Sequence, residues 1–187
     1  MEEKYVPLDS WRNDYLHVIS ANGLLNIAKS SKGVGFVKKK IDEYQIYEKH
    51  YEQIYNQVKN DPYAQSLGIK LTKFEAGFAE ATLDVQSHMV NAYGTVHGAI
   101  MYALADHAFS VACNAYGKTS VGLSTTIQFM ESAKPGDKIV ARATEVRRNF
   151  RTGFYRIEIF HEEKLIATME AVSYRKDHYF IDLDQQE

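Results

Sequence analysis

One cysteine, one tryptophan and three prolines in 187 residues are what this chain has least of. The lone Cys113 excludes an intrachain disulfide and fits a reducing compartment. Charge of one sign is missing too: 22 Lys and Arg face 24 Asp and Glu, a formal net charge of -2. That balance excludes the strongly basic surface of a general nucleic-acid binder and the one-signed composition of a disordered tail. No apolar run is long enough for a bilayer. The best candidate, residues 98–115, is short for a span and carries Asp106, His107 and Asn114, so a buried helix is expected instead. The start MEEKYVPLDS lacks the charged-then-apolar pattern of a secretory signal, which makes the cytoplasm the expected location. There is no GxSxG nucleophile elbow, since the nearest stretch, GLSTT, lacks the second glycine. No GxxxxGK[ST] phosphate loop occurs either, and no internal repeat or low-complexity tract.

What remains, with 45% hydrophobic and 25% charged residues, is the composition of a soluble globular protein. Its length suits one domain plus an appendage. Residues 1–44 are expected to form an N-terminal extension of open role. It mixes a helix around Trp11 to Asn22 with SSKGVGFVKKK, whose glycines and lysines suggest a turn or mobile connection. From Ile41 the series Tyr44, Tyr47, Tyr51, Ile54, Tyr55, Val58 steps by threes and fours, so an amphipathic helix with a tyrosine-rich face is predicted, ended by Asn60-Asp61-Pro62. After PYAQSLG the pattern turns to strands: FAEATLDV, VGLSTTIQF, DKIVARATEV, TGFYRIEIF and KLIATMEAVSYR, with AKPGD and RNFRTG as turns. The fold class is therefore α+β, a mainly antiparallel sheet with one long helix on a face, over residues 45–176, followed by a tail from 177 to 187.

That helix, GAIMYALADHAFSVACNA, is apolar on nearly every side and is expected to be enclosed by the sheet. An ionised carboxylate is costly there, so Asp106 must have a partner, lie at an opening, or have a shifted pKa. Gly98 starts the helix after the polar loop NAYGTVH. The first helical N–H groups have no intrahelical partner and can receive an oxyanion, although a glycine there also serves close packing or turn geometry. Gly98 and Asp106 are eight residues apart, about 12 Å along one helix, too far to act on one carbonyl. A site using both requires a second copy of the helix, antiparallel across a two-fold axis.

The pattern N-x₂-G-x₂-H-G-A-x₄-L-A-D-x-A-F-x₂-A-C-N, Asn91 to Asn114, resembles the hotdog-fold acyl-CoA thioesterases of the phenylacetate-degradation (PaaI-like) group. The likeness runs through TTIQF and the last strands, roughly residues 45 to 175. It implies a hotdog fold, an antiparallel sheet wrapped around a long helix, paired into dimers or tetramers. It implies hydrolysis of an acyl-CoA, aryl or short to medium chain, to an acid and free CoA, without metal or redox cofactor. Gly98 would then supply the N–H that polarises the thioester carbonyl, and Asp106 of the facing subunit would act as nucleophile or as base for water. Asn91 would orient the carbonyl or the water, His97 would hydrogen-bond the loop at the helix start, and Thr126 would help hold the carboxylate or water. The group often carries a second glycine where this chain has Ala99, which bears on substrate size rather than on the reaction.

Other residues give weaker signals. His97 and His107 would lie about 15 Å apart on one helix, too far to share a metal ion, and His107 is expected to be a partly buried polar contact. Cys113 reads as a small core residue. Arg147, Arg148 and Arg151 meet at one turn, an ordinary solvated hairpin end that could also meet CoA phosphates. A rival reading is an acyl-CoA-sensing repressor, with AKSSKGVGFVKKKI as a turn before a recognition helix. Against it, residues 1–44 hold seven Lys and Arg beside six Asp and Glu, and a sensor needs no catalytic carboxylate. A non-catalytic acyl-CoA binder is the remaining alternative.

Overall fold

The structure is a computed structural model that describes the backbone of residues 15–20, 23–30 and 33–36 and all of residues 42–183. The chain divides into two compact units, Met1–Asp42 and Glu43–Glu187. In the first, β1 (Tyr15–Ser20), β2 (Gly23–Ser30) and β3 (Gly33–Phe36) form an antiparallel meander. The helix expected around Trp11 to Asn22 is therefore a strand over Tyr15–Ser20, where β-branched and aromatic residues suit a ladder with β2. GVGF, expected in a turn or mobile connection, is β3 paired with Ile27–Ser30. Among the described residues this unit holds no helix-turn-helix; residues 11–14, 21–22, 31–32 and 37–41 of those expectations lie outside the described residues.

The second unit opens with α1 (Glu43–Lys49) and α2 (Tyr51–Lys59), the predicted amphipathic helix with a step at His50. The His50 N–H still donates to the Ile46 carbonyl at 2.9 Å and its carbonyl accepts from Ile54 at 3.0 Å, so one apolar face runs through both pieces. On that face Ile46 and Ile54 are buried, while the rings of Tyr47, Tyr51 and Tyr55 gather around Phe74 at centroid distances of 5.7, 5.5 and 5.9 Å. Each such pair contributes on the order of 0.5–1.5 kcal/mol beyond burial. Asp61 stops α2 and caps α3 (Pro62–Ser66): its carboxylate accepts the Ala64 N–H at 2.8 Å with Pro62 just inside.

Six antiparallel strands follow: β4 (Lys70–Glu75), β5 (Phe78–Asp84), β6 (Lys118–Phe129), β7 (Lys138–Arg148), β8 (Thr152–His161) and β9 (Lys164–Tyr179). Their order across the sheet is β4-β5-β7-β8-β9-β6, which leaves β6 on an edge. β9 continues through Tyr179, so the expected tail from residue 177 starts as strand. Between β5 and β6 lies α4 (Gly98–Cys113), the expected central helix. Ala103, Ala105, Ala108 and Ala112 of α4 meet a sheet lined by Ala79, Ala81, Ala141 and Ala143, all buried. Small side chains on both surfaces let helix and strands approach closely, and Leu104, Phe109 and Val111 fill what remains.

A buried ion network ties α1 to the sheet. Glu43 takes the Arg175 guanidinium on one oxygen at 2.7 Å and lies 3.2 Å from Arg148 Nε with the other, an ion pair without hydrogen-bond alignment. Arg175 Nη1 also donates to the Asn149 carbonyl at 2.5 Å, and the Arg148 guanidinium lies 3.7 Å over the Tyr116 ring. Among the described residues no helix is long and apolar enough to cross a membrane.

Candidate active site

The loop before α4 is built around Asn91. Its side-chain oxygen accepts the N–H groups of Tyr93 (2.9 Å) and Thr95 (3.3 Å), while its amide donates to Thr95 Oγ1 at 3.0 Å, leaving one amide hydrogen unengaged. The His97 N–H donates to the Met89 carbonyl at 2.8 Å, and His97 then caps α4, its Nδ1 accepting the Ala99 N–H at 3.0 Å. Ile100 is satisfied by the His97 carbonyl at 2.9 Å. Among the described residues, the Gly98 N–H alone in this turn has no acceptor, at the positive end of a sixteen-residue helix. A methyl group built on Gly98 would sit 3.2 Å from Phe129 Cζ, so the glycine also meets a packing demand.

Past its first turn, α4 is exposed only at Tyr102, Asp106 and Ser110, one stripe at four-residue steps. The helix is thus enclosed on all sides but one, and Asp106 lies at that opening. Its carboxylate makes no hydrogen bond or ion pair among the described residues. Burial of its other sides, and then the Asp61 carboxylate, hold its pKa above the usual carboxylate value. Neighbouring His107 is buried, makes no hydrogen bond among the described residues, and is shifted down by desolvation against the opposing pull of Asp61. Together with Asp61, Val58, Ser110, Asn114 and Phe180 it lines a cavity of about 340 Å³.

Strand β6 runs beside this stripe, and its register sets which threonine faces α4. Thr125 Oγ1 bonds Tyr102 Oη at 2.8 Å, so Thr125 faces α4. Successive strand residues point to opposite faces, which turns Thr126 outward, opposite Glu170 on β9. Thr126 therefore stands away from the Asp106 of its own chain. The three arginines are engaged differently: Arg148 is half-buried in the Glu43 network, Arg151 pairs with Asp177 at 2.8 Å, and only Arg147 is exposed without an ion pair among the described residues. Cys113 is core, its thiol pushed up to about 12 by burial. Among the described residues no cluster of three His, Cys, Asp or Glu could hold a metal ion.

Sequence reasoning missed Tyr102, Ser110, Asp61 and Phe129. Helical periodicity from Asp106 pointed to the first two; nothing local pointed to Asp61 or Phe129.

A long helix packed on a six-stranded antiparallel sheet is the hotdog arrangement. Residues 93–167 match the thioesterase superfamily. The acyl-coenzyme A thioesterase PaaI of Escherichia coli K12 is 34% identical over 128 residues, 68% of this chain and 91% of that protein. Its solved structure superposes with a TM-score of 0.66 at 31% identity, covering 74% of this chain and 99% of that one. A mutant of the phenylacetic acid degradation protein PaaI from Thermus thermophilus gives a TM-score of 0.61 at 35% identity, over 62% of this chain and all (100%) of the other. A Streptococcus mutans protein solved with acetyl CoA, at 21% identity, TM-score 0.56 and 58% and 88% coverage of this chain and that one, shares the fold alone. The chain belongs to the thioesterase superfamily, in its PaaI-like acyl-CoA thioesterase group. Its activity is thioester hydrolysis.

Proposed function

We propose that two copies of the chain pair about a two-fold axis, as a dimer or within a tetramer, and that each active site takes Gly98 from one copy and Asp106 from the other. One observation carries this reading. The only unsatisfied N–H of the first turn and the unpaired carboxylate lie on one helix, about 12 Å apart, too far for a single carbonyl. Two antiparallel copies bring each N–H to the other's carboxylate.

In the reaction, the Gly98 N–H and the helix dipole hold the thioester oxygen as it becomes an oxyanion. Asp106 either takes the proton of an attacking water or itself attacks the carbonyl carbon. Where Asp106 takes the proton of water, the tetrahedral intermediate breaks the C–S bond and the departing CoA thiolate takes up that proton; where Asp106 attacks, loss of the thiolate leaves a mixed anhydride that water hydrolyses to the acid and Asp106, its proton going to the thiolate. Asn91 orients carbonyl or water with its remaining amide hydrogen, and His97 holds the helix start. Arg147 is the member of its cluster left to meet a CoA phosphate.

The acyl group, an aryl or a short to medium chain, lies at the opening of α4 that Asp106 occupies. A protein whose one thiol is buried and unpaired suits the reducing cytoplasm.

The test combines a thiol-release assay over aryl- and alkyl-CoAs with subunit mixing. Gly98→Pro and Asp106→Ala are each inactive alone, yet a randomly mixed dimer pool recovers about one quarter of wild-type activity, because each mixed dimer holds one intact site. A pool that stays inactive, while mixed dimers are shown to form, rejects the shared site.

A further inference from the structure

We infer that Tyr102 marks the two-fold axis of the assembled enzyme, and that its ring, packed on the partner's Tyr102, is the wall common to both active sites. The inference rests on the shared-site reading above. When two antiparallel helices are related by a two-fold axis, the positions that face each other lie at equal distances on either side of it. If Gly98 faces the partner's Asp106, the axis passes the residue midway between them. That residue is Tyr102.

The exposure of α4 is an independent check on this placement. Had the midpoint fallen on Ala103, Leu104 or Ala105, the axis would pass through the buried side of the helix and no such pair could form. It falls instead on Tyr102, which is exposed and shares its stripe with Asp106 and Ser110. The ring is held in place from within its own chain, since Tyr102 Oη bonds Thr125 Oγ1 on β6.

The surface around it suits a second copy of the chain. β6 is the sheet edge beside α4, and it carries Val121, Leu123 and Phe129 at 41, 63 and 50% exposure, followed by Met130 at 51%. β6 is twelve residues long and paired on one side only, by β9, and an open edge of that length is normally covered. A stripe and an edge centred on one axis are self-complementary, as an isologous interface requires.

Each reaction centre then lies four residues from the axis, about 6 Å to either side, and the two tyrosine rings fill the space between them. Tyr102 is thus an interface residue that also bounds the substrate space on both sides.

Cysteine scanning of the full-length chain tests the register, because native Cys113 is buried. Symmetry-related positions separate along the axis by about 3 Å per residue from position 102: about 9 Å for residue 99 and about 24 Å for residue 110. A disulfide requires Cβ atoms about 3.5–4.5 Å apart. Under copper–phenanthroline oxidation, Tyr102→Cys is expected to form covalent dimers at least about tenfold faster than Ala99→Cys or Ser110→Cys. Photo-oxidation of the unsubstituted protein is expected to give a Tyr102–Tyr102 dityrosine peptide by mass spectrometry, absent from Tyr102→Phe, so the test survives a misfolded cysteine variant. A dimer that passes the subunit-mixing test but cross-links as fast at 99 or 110, or yields no such dityrosine, overturns the Tyr102 register alone. A wild-type protein that sediments as an active monomer overturns the shared site as well.

Discussion

Gly98→Pro isolates one hydrogen atom. Gly98 is the first residue inside α4, a position where proline fits a helix and where its missing N–H breaks no bond, since this N–H has no acceptor among the described residues. The residue before a proline must be extended, and His97 already is, at φ -68° and ψ 136°. The Cβ of the proline, like that of an alanine, meets Phe129 Cζ at 3.2 Å. Phe129 is half exposed and can give way, at a cost of about 1 kcal/mol. Loss of glycine's freedom in the unfolded chain offsets about 0.4–1 kcal/mol of that. Stability should therefore barely change. Activity should fall far more, because deleting one preorganised oxyanion donor costs about 2.7–4 kcal/mol, or about 10²–10³ in kcat. Gly98→Ala is the control: it presses on Phe129 in the same way but keeps the N–H. Thiol release is measured for both variants beside urea unfolding. If Gly98→Pro retains kcat/KM within about threefold of Gly98→Ala, the N–H does not bind the oxyanion and Gly98 is a packing residue only.

Asp106→Asn should lower kcat by about 10²–10⁴-fold with an unchanged or higher urea midpoint, because the carboxylate has no partner to lose and sits near Asp61; a lower midpoint would reveal a structural role. Activity needs Asp106 ionised, and its pKa is raised, first by burial and then by Asp61. The acid limb of the pH–rate profile therefore lies above the usual carboxylate range. Asp61→Asn, which keeps the oxygen capping Ala64, should move that limb to lower pH while the burial contribution stays; an unmoved limb would show that the two carboxylates are uncoupled. Glu43→Ala leaves Arg175, at 3% side-chain exposure, without its carboxylate, and should cost about 3–5 kcal/mol in urea unfolding. A loss near that of a surface pair, about 0–1 kcal/mol, would mean that α1 is not anchored through this contact.

The α+β class, the central helix, the succession of four strands after it and the spacing of Gly98 and Asp106 could all be read from the chain. Each is encoded by near neighbours: four-residue apolar steps, two-residue alternation, a histidine and glycine at a helix start. The distance argument for a second copy needed only the rise of a helix. Where neighbours mislead, only pairing decides. Tyr15–Ser20 is a strand because β2 lies beside it, and no local pattern carries that information.

The site itself divides along the same line. The groups proposed for it, Gly98, Asp106, Asn91 and His97, could be picked out because each sits in a local motif suited to a chemical task. Their surroundings could not. That Thr125 rather than Thr126 faces α4 depends on the register of β6 against β9, where one residue reverses every side chain. That Arg148 is enclosed depends on Glu43, more than a hundred residues earlier, reaching it from another element. That Asp61 raises Asp106, and that Phe129 covers Gly98, are contacts between segments far apart in sequence. Local periodicity thus determined which elements form and which groups they carry, while burial, facing and partnership were decided by long-range packing, whose partners are not neighbours along the chain.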